Sequence, residues 1–124
     1  MFQLDMRSSR SIYEQVIDNF KELITRGVLE PDSKLPSVRE LSRSLTVNPN
    51  TVQKAYRELE RQGFIYTVQG RGAFVSPREN VQVDTEEVKR IKDSITQEVR
   101  ELSYIGLSHE EIAALLTEIA DEIH

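Results

Sequence analysis

The sequence predicts a mainly α-helical fold with one small β-hairpin, followed by a tail of two helices. Three observations carry that expectation. Apolar residues recur at helical spacing near both ends of the chain, two short capped helices follow one another in the middle, and β-branched and aromatic runs flank Gly70-Arg71-Gly72. At 124 residues the chain has room for one compact domain and a small appendage.

The elements follow in order. Met1 to Arg10 form an arm to which the sequence assigns no role. Between Ser11 and Arg26, Ile12, Val16, Ile17, Phe20, Leu23 and Ile24 make the apolar stripe of an ordinary core-forming helix, which Gly27 stops. Residues 29–35, with Pro31 and Asp32, read as a loop that can add a short edge strand to the hairpin. A second helix begins at Ser37, where Glu40 three residues on completes a capping box. It buries Val38, Leu41 and Leu45 and exposes Arg39 and Arg43.

After the turn at Thr46-Val47, Asn48 is placed to cap a third helix, with Pro49 at the first helical position and Gly63 at the end. At roughly 100° per residue, Asn50, Gln53, Lys54, Arg57 and Arg61 fall within about 100° of arc, and Val52, Ala55, Tyr56 and Leu59 lie opposite. One face is a core face; the other is basic and amide-rich. Glu58 and Glu60 flank that stripe, which leaves Lys54, Arg57 and Arg61 uncancelled at its middle. Two such helices match a helix-turn-helix, whose second helix enters the major groove of DNA. The bland alternative is a solvated amphipathic pair.

The run from Phe64 to Ser76 decides between them. Its glycines permit the positive φ of a tight turn, so it reads as a hairpin with Arg71 at its tip. Gly-Arg-Gly alone would mark an ordinary hairpin, but directly after a recognition helix it reads as a wing, with Arg71 directed toward a minor groove or a phosphate.

Taken together, Pro-Ser-Val-Arg-Glu-Leu, Val-Asn-Pro-Asn-Thr-Val-Gln-Lys-Ala-Tyr-Arg-Glu-Leu-Glu, Gly-Phe-Ile and Gly-Arg-Gly resemble the GntR family of bacterial transcription regulators over about residues 10 to 76. Larger subfamilies carry sizeable effector-binding or aminotransferase-like domains after the wing, and here 46 residues follow Arg78. The chain therefore resembles the YtrA subfamily, with its small two-helix tail. That resemblance implies a sequence-specific regulator, a repressor above all, of the kind that often controls an ABC-transporter operon. It also implies DNA contacts by Arg39, Asn48, Asn50, Thr51, Gln53, Gln69, Gly70 and Arg71. Lys54 and Arg57 join them from the helical wheel. Pro49 and Gln53 stand where some relatives place guanine-reading arginines; Gln53 can pair with adenine, which makes Arg39 the candidate for a guanine.

Composition is consistent with this. The absence of cysteine excludes disulfides and thiolate metal sites and suits a reducing compartment. No long apolar run or signal-peptide pattern appears, so a cytoplasmic protein without a membrane partner is expected. The net charge of −5 hides a division. Residues 1–78 hold twelve Lys/Arg and nine Asp/Glu, a balance of +3, whereas residues 79–124 hold four and twelve, a balance of −8. A basic module thus precedes an acidic one.

We expect a winged helix-turn-helix domain over 1–78 and a dimerisation tail over 79–124. In the tail, Val88, Ile91, Ile95, Val99 and Leu102 stripe one helix beginning near Thr85. Gly106 interrupts it, Ser108 with Glu111 forms another capping box, and Ile112, Leu115, Leu116, Ile119 and Ile123 stripe the last helix. A unit this small has too little interior to bury both stripes, so a symmetric homodimer is expected. The alternative folds both stripes back on the winged domain.

Two other function classes compete with this reading. Enzyme chemistry has little to stand on: His109 and His124 form no triad or metal spacing, and Asp84, Glu86 and Glu87 read as a helix start favoured by the macrodipole. No cofactor or metal is expected. A winged helix used for protein interaction or RNA binding, without operator specificity, is the second rival. The expected partners are double-stranded operator DNA and a second copy of the chain; no small-molecule effector is assigned.

Overall fold

The computed structural model describes residues 2–123. The chain divides into two compact units, one ending at Gln82 and the other beginning at Val83.

In the first unit α1 (Ile12–Thr25), α2 (Val38–Leu45) and α3 (Pro49–Arg61) pack around one core, and β1 (Ile65–Val68) pairs antiparallel with β2 (Gly72–Val75). Each helix starts where a side chain satisfies its free N–H groups. The Ser37 hydroxyl accepts from the Glu40 N–H at 3.0 Å while the Glu40 carboxylate accepts from the Ser37 N–H at 3.0 Å. Ser11 and Glu14 repeat the device on α1. In both boxes the serine backbone N–H, then its hydroxyl, holds the glutamate below the usual carboxylate range. The stabilisation is therefore present above the ordinary glutamate pKa and fades as pH falls through the lowered one.

The core faces are those the spacing predicts. Val16, Val52, Ala55, Leu59 and Val75 are fully buried, with Phe20, Leu35, Leu41 and Ile65 nearly so. Val38 and Leu45 are only half-buried, and the α2 face is completed by Ser42, whose hydroxyl donates to the Arg39 carbonyl at 3.0 Å.

The edge strand expected from residues 29–35 contracts to a single bridge, Lys34 to Phe74. Around it Leu35 N–H donates to Ala73 O at 2.8 Å and Val75 N–H to Ser33 O at 2.9 Å. Asp32 adopts φ 66° beside this bridge, which ends regular pairing there. The arm gains a place that its sequence did not announce. Asn19 pairs its side-chain amide with both the N–H and the carbonyl of Gln3, and Gln15 does the same with Asp5. These anchors set Phe2 edge-on against Phe20, 4.8 Å between ring centroids.

The expected boundary after residue 78 moves to 82. Arg78–Asn80 form a 3-10 turn, Val81 packs on the core, and Gln82 N–H donates to Gln62 O at 3.3 Å. Gly63 permits this closure: a Cβ there would stand 2.1 Å from the Asn80 carbonyl oxygen, and its φ is +85°.

The second unit is a helical hairpin of α4 (Thr85–Tyr104) and α5 (His109–Ile123), turned at Gly106 with φ 109°. The Ser108 and Glu111 box is present, with backbone N–H bonds of 2.9 and 3.2 Å. His124 lies outside the described residues, as does Met1 of the arm.

Thr46, at the turn between α2 and α3, is left-handed at φ 55°, ψ 50°, a costly conformation for a β-branched residue. Thr46→Asn, which tolerates that region, is expected to raise unfolding stability by about 1 kcal/mol, read as an increase in Tm.

Candidate nucleic-acid interface

The exposed side of the first unit is built around α3. Because Val52, Ala55 and Leu59 are fully buried, Asn50, Gln53, Lys54 and Arg57, half a turn away, are exposed together. The helix is fixed at its middle by Tyr56. Its ring packs edge-on against Phe20 at 5.5 Å, and its hydroxyl donates to the Pro36 carbonyl at 2.6 Å, immediately before the α2 cap. Burial, and then the nearby Glu40 charge, push this phenol far above the ordinary tyrosine range, so it donates at every physiological pH.

Two clefts flank α3. One, open and about 540 Å³, runs beside α1 and is lined by Tyr13, Thr51, Lys54, Arg57, Glu58 and Arg61. The other, about 280 Å³, lies between the start of α2, α3 and the hairpin, where Lys34, Gln53, Arg57 and Arg71 meet Glu40 and Glu60. Arg57 reaches both. A helix raised as a ridge between two cation-lined clefts has the relief of a body that inserts into a groove bounded by two phosphate chains.

The hairpin is held to that ridge. Thr67 donates its hydroxyl to Glu60 at 2.7 Å, and Tyr66 stacks on Phe74 at 5.6 Å while donating to Asp32 at 2.7 Å. Its turn spans residues 68–71, closed by Arg71 N–H to Val68 O at 2.9 Å with Gly70 third at φ 80°. Gln69, Gly70 and Arg71 are fully outside the core, with Arg71 at the last corner of the turn.

The ten residues expected to meet DNA lie in the first unit, on α2, on α3 and its cap, and at the hairpin tip, and five of them, Thr51, Gln53, Lys54, Arg57 and Arg71, line the two clefts. Arg39 is exposed on α2. Asn48 is partly engaged, since its side-chain oxygen accepts the Asn50 N–H at 2.8 Å as the α3 cap. Thr51 is half-buried. One expectation is corrected: Arg61 is not left uncancelled, because Glu58 one turn earlier takes it in three hydrogen bonds of 2.6 to 2.9 Å. Arg61, followed by the Gln62 amide, lowers Glu58 to about 2. The i,i+3 spacing that puts Glu58 on the flank also puts it within reach of Arg61.

Sequence reasoning passed over Tyr13 and Lys34, which line the two clefts. Tyr13 sits in a helix read only for its apolar stripe, and Lys34 in a loop where no periodicity marks it.

The tail residues divide. Val88, Ile91, Ile95, Leu116 and Ile119 are exposed, from 40 to 53 %, and Val99, Leu102 and Leu115 are half-buried. Ile112 is buried, unlike the other residues expected in the seam. Val88, Ile91, Ile95 and Val99, with Lys92 and Thr96, line a shallow apolar trough on α4.

Among the described residues no cluster of His, Asp or Glu is placed to hold a metal, and no helix is long and apolar enough to cross a membrane.

Three helices, a two-strand wing and a basic ridge define a winged helix-turn-helix DNA-binding domain. The family model for bacterial regulatory proteins of the gntR family matches residues 12–75. The chain belongs to that family, in its short YtrA-type form. It is 42% identical over 123 residues to the HTH-type transcriptional repressor YtrA of Bacillus subtilis (strain 168), across 99% of this chain and 95% of that protein. Of solved structures, a transcriptional antiterminator from Listeria monocytogenes EGD-e superposes with a TM-score of 0.77 at 36% identity, covering 99% of this chain and 92% of the other. The DNA-binding domain of AraR in complex with operator ORR3 matches with a TM-score of 0.51 at 36% identity, over 60% of this chain and 93% of that domain. These are regulators, and the family is not one of enzymes.

Tyr56→Phe removes the tie between α3 and the entry of α2. We expect a loss of about 1 kcal/mol in denaturant unfolding, with the helical circular dichroism unchanged.

Proposed function

We propose that the protein is a cytoplasmic transcriptional repressor that binds an inverted-repeat operator as a homodimer. The ridge of α3 between its two cation-lined clefts carries this reading. Gln53 and Asn50 face base edges, Arg39 reads a guanine, and Lys54, Arg57 and Arg71 hold phosphates or the minor groove. The repressor named among its relatives and the operator-bound AraR domain support it. The small tail joins two such heads, with half-sites centred about one helical turn apart. The YtrA-type resemblance makes an ABC-transporter operon the first locus to test.

Arg39→Ala is expected to weaken operator binding by about 1–3 kcal/mol and to relax base preference at one position of each half-site. Titrations against operator and random duplex separate the roles: an equal loss on both would make Arg39 a phosphate contact only.

The tail role rests on five exposed apolar side chains, Val88, Ile91, Ile95, Leu116 and Ile119. Ile119→Asp would set an unpaired charge in their shared seam and should give a monomer that binds the operator weakly, although no DNA-facing residue has changed. Light scattering decides this: a monomeric wild type, or a variant that stays dimeric, would take the dimer role away from the tail.

A further inference from the structure

The wing-side cleft contains a cation that the recognition motif does not include. Lys34 lies outside α2 and α3, yet its backbone is fastened to β2 by the bridge to Phe74 and the flanking bonds of Leu35 and Val75. From there its side chain runs across Gly72 toward the hairpin tip. A Cβ built on Gly72 would stand 3.2 Å from Lys34 Cε and 4.0 Å from Nζ. Gly72 is the residue directly after Arg71. The absence of a side chain there leaves the surface of β2 open for the lysine to cross.

We propose that Lys34 is a DNA-phosphate contact, acting with Arg71 so that the loop before α2 and the wing grip one backbone strand together. The proposal rests on the DNA-binding reading and extends it to a residue outside the helix-turn-helix and the hairpin. Lys34 enters no ion pair among the described residues. The two acids that share the cleft stay charged but are held by neutral donors, Glu40 by the Ser37 N–H and Glu60 by the Thr67 hydroxyl, and Lys34 lies near enough to Glu40 for their charges to interact. A phosphate entering the cleft meets Lys34, Arg57 and Arg71 as its positive groups. Lysine suits this role, because a compact ammonium on a flexible stem neutralises a phosphate without demanding a particular base. The Lys34 backbone is bonded to β2, the strand that follows Arg71, which keeps the two charges on one framework.

The experiment is a salt series on the full chain. Binding to a random-sequence DNA duplex three helical turns long is followed by fluorescence anisotropy for wild type, Lys34→Gln and Lys34→Arg. We expect Lys34→Gln to weaken binding and to flatten the slope of log affinity against log salt by about one per subunit. Lys34→Arg should keep the wild-type slope, which shows that charge and not packing is at issue. An unchanged slope in Lys34→Gln beside a steep wild-type slope would overturn the role of Lys34 alone. Equal losses in both variants would make the residue a packing element of the wing. A wild type whose affinity does not respond to salt would instead overturn the DNA-binding reading itself.

Discussion

The interface depends on the burial of one face of α3. Val52, Ala55 and Leu59 have no exposed surface, so rotating the helix about its axis would take apolar side chains out of the core that also holds Val16, Phe20 and Val75. At roughly 1.5–3 kcal/mol for each large side chain moved into water, such a rotation is excluded, and the orientation of the opposite face is fixed. Tyr56 then sets the position along the remaining freedom. Packed on Phe20 and bonded to the carbonyl ahead of α2, it couples the recognition helix to the element beside it. The arm adds to the same cluster, because Phe2 packs edge-on against Phe20. The outward face of α3 is thus set by the packing of its inward one.

Charge is distributed to match. An overall negative protein repels a polyanion, and steering by the field of the molecule would oppose association if the acid were spread evenly. Here the excess of acid belongs to residues 79–124, and the first unit carries the cations. Within that unit the acidic residues near α3 are held by hydrogen bonds, and Glu58 is also paired with a cation. Glu58 is taken by Arg61 and Gln62, Glu60 by Thr67, and Glu40 by its helix cap. Lys34, Arg39, Lys54, Arg57 and Arg71 stand exposed on this unit. The pairing of Glu58 has a further effect: with its pKa lowered to about 2, it stays ionised and bonded well into the acid range.

The legible parts of this molecule were the ones written in local code. The apolar spacing of α1, the Ser37 and Glu40 box, Asn48 before Pro49 and the glycines of the hairpin each specify their element within a few residues, and each stands where its signal put it. What escaped was specified across longer distances. Nothing near Lys34 announces that it will lie across Gly72, because the bridge that brings it there joins residues forty apart in sequence. The arm likewise depends on amides of Gln15 and Asn19, which in a helix read for its apolar stripe look like solvated polar positions. The domain boundary slipped for the same reason: Pro77 and Asn80 have the composition of a linker, but Gly63 admits the Asn80 carbonyl so closely that the segment belongs to the first unit. Ile112 shows the limit of stripe reasoning in the tail, since a periodic apolar face does not say which of its members a neighbouring helix will cover first.

That last point bears on assembly. In the second unit Ile112 is buried and Val99, Leu102, Leu107 and Leu115 are half-buried, yet Val88, Ile91, Ile95, Leu116, Ile119 and Ile123 remain 40 to 63 % exposed. Apolar side chains scattered singly over a surface need no explanation; aligned along a trough on one helix they do. A two-helix unit satisfies its own hydrogen bonds and caps but lacks the interior to hide two stripes. In the proposed dimer the same patch meets itself across a two-fold axis, so each exposed residue is covered by a copy of a residue already selected to be apolar. That symmetry is also what a recognition helix of this size requires. In that proposed dimer, two ridges joined through a common seam would turn two weak, salt-sensitive contacts into one operator contact whose second half binds at high effective concentration.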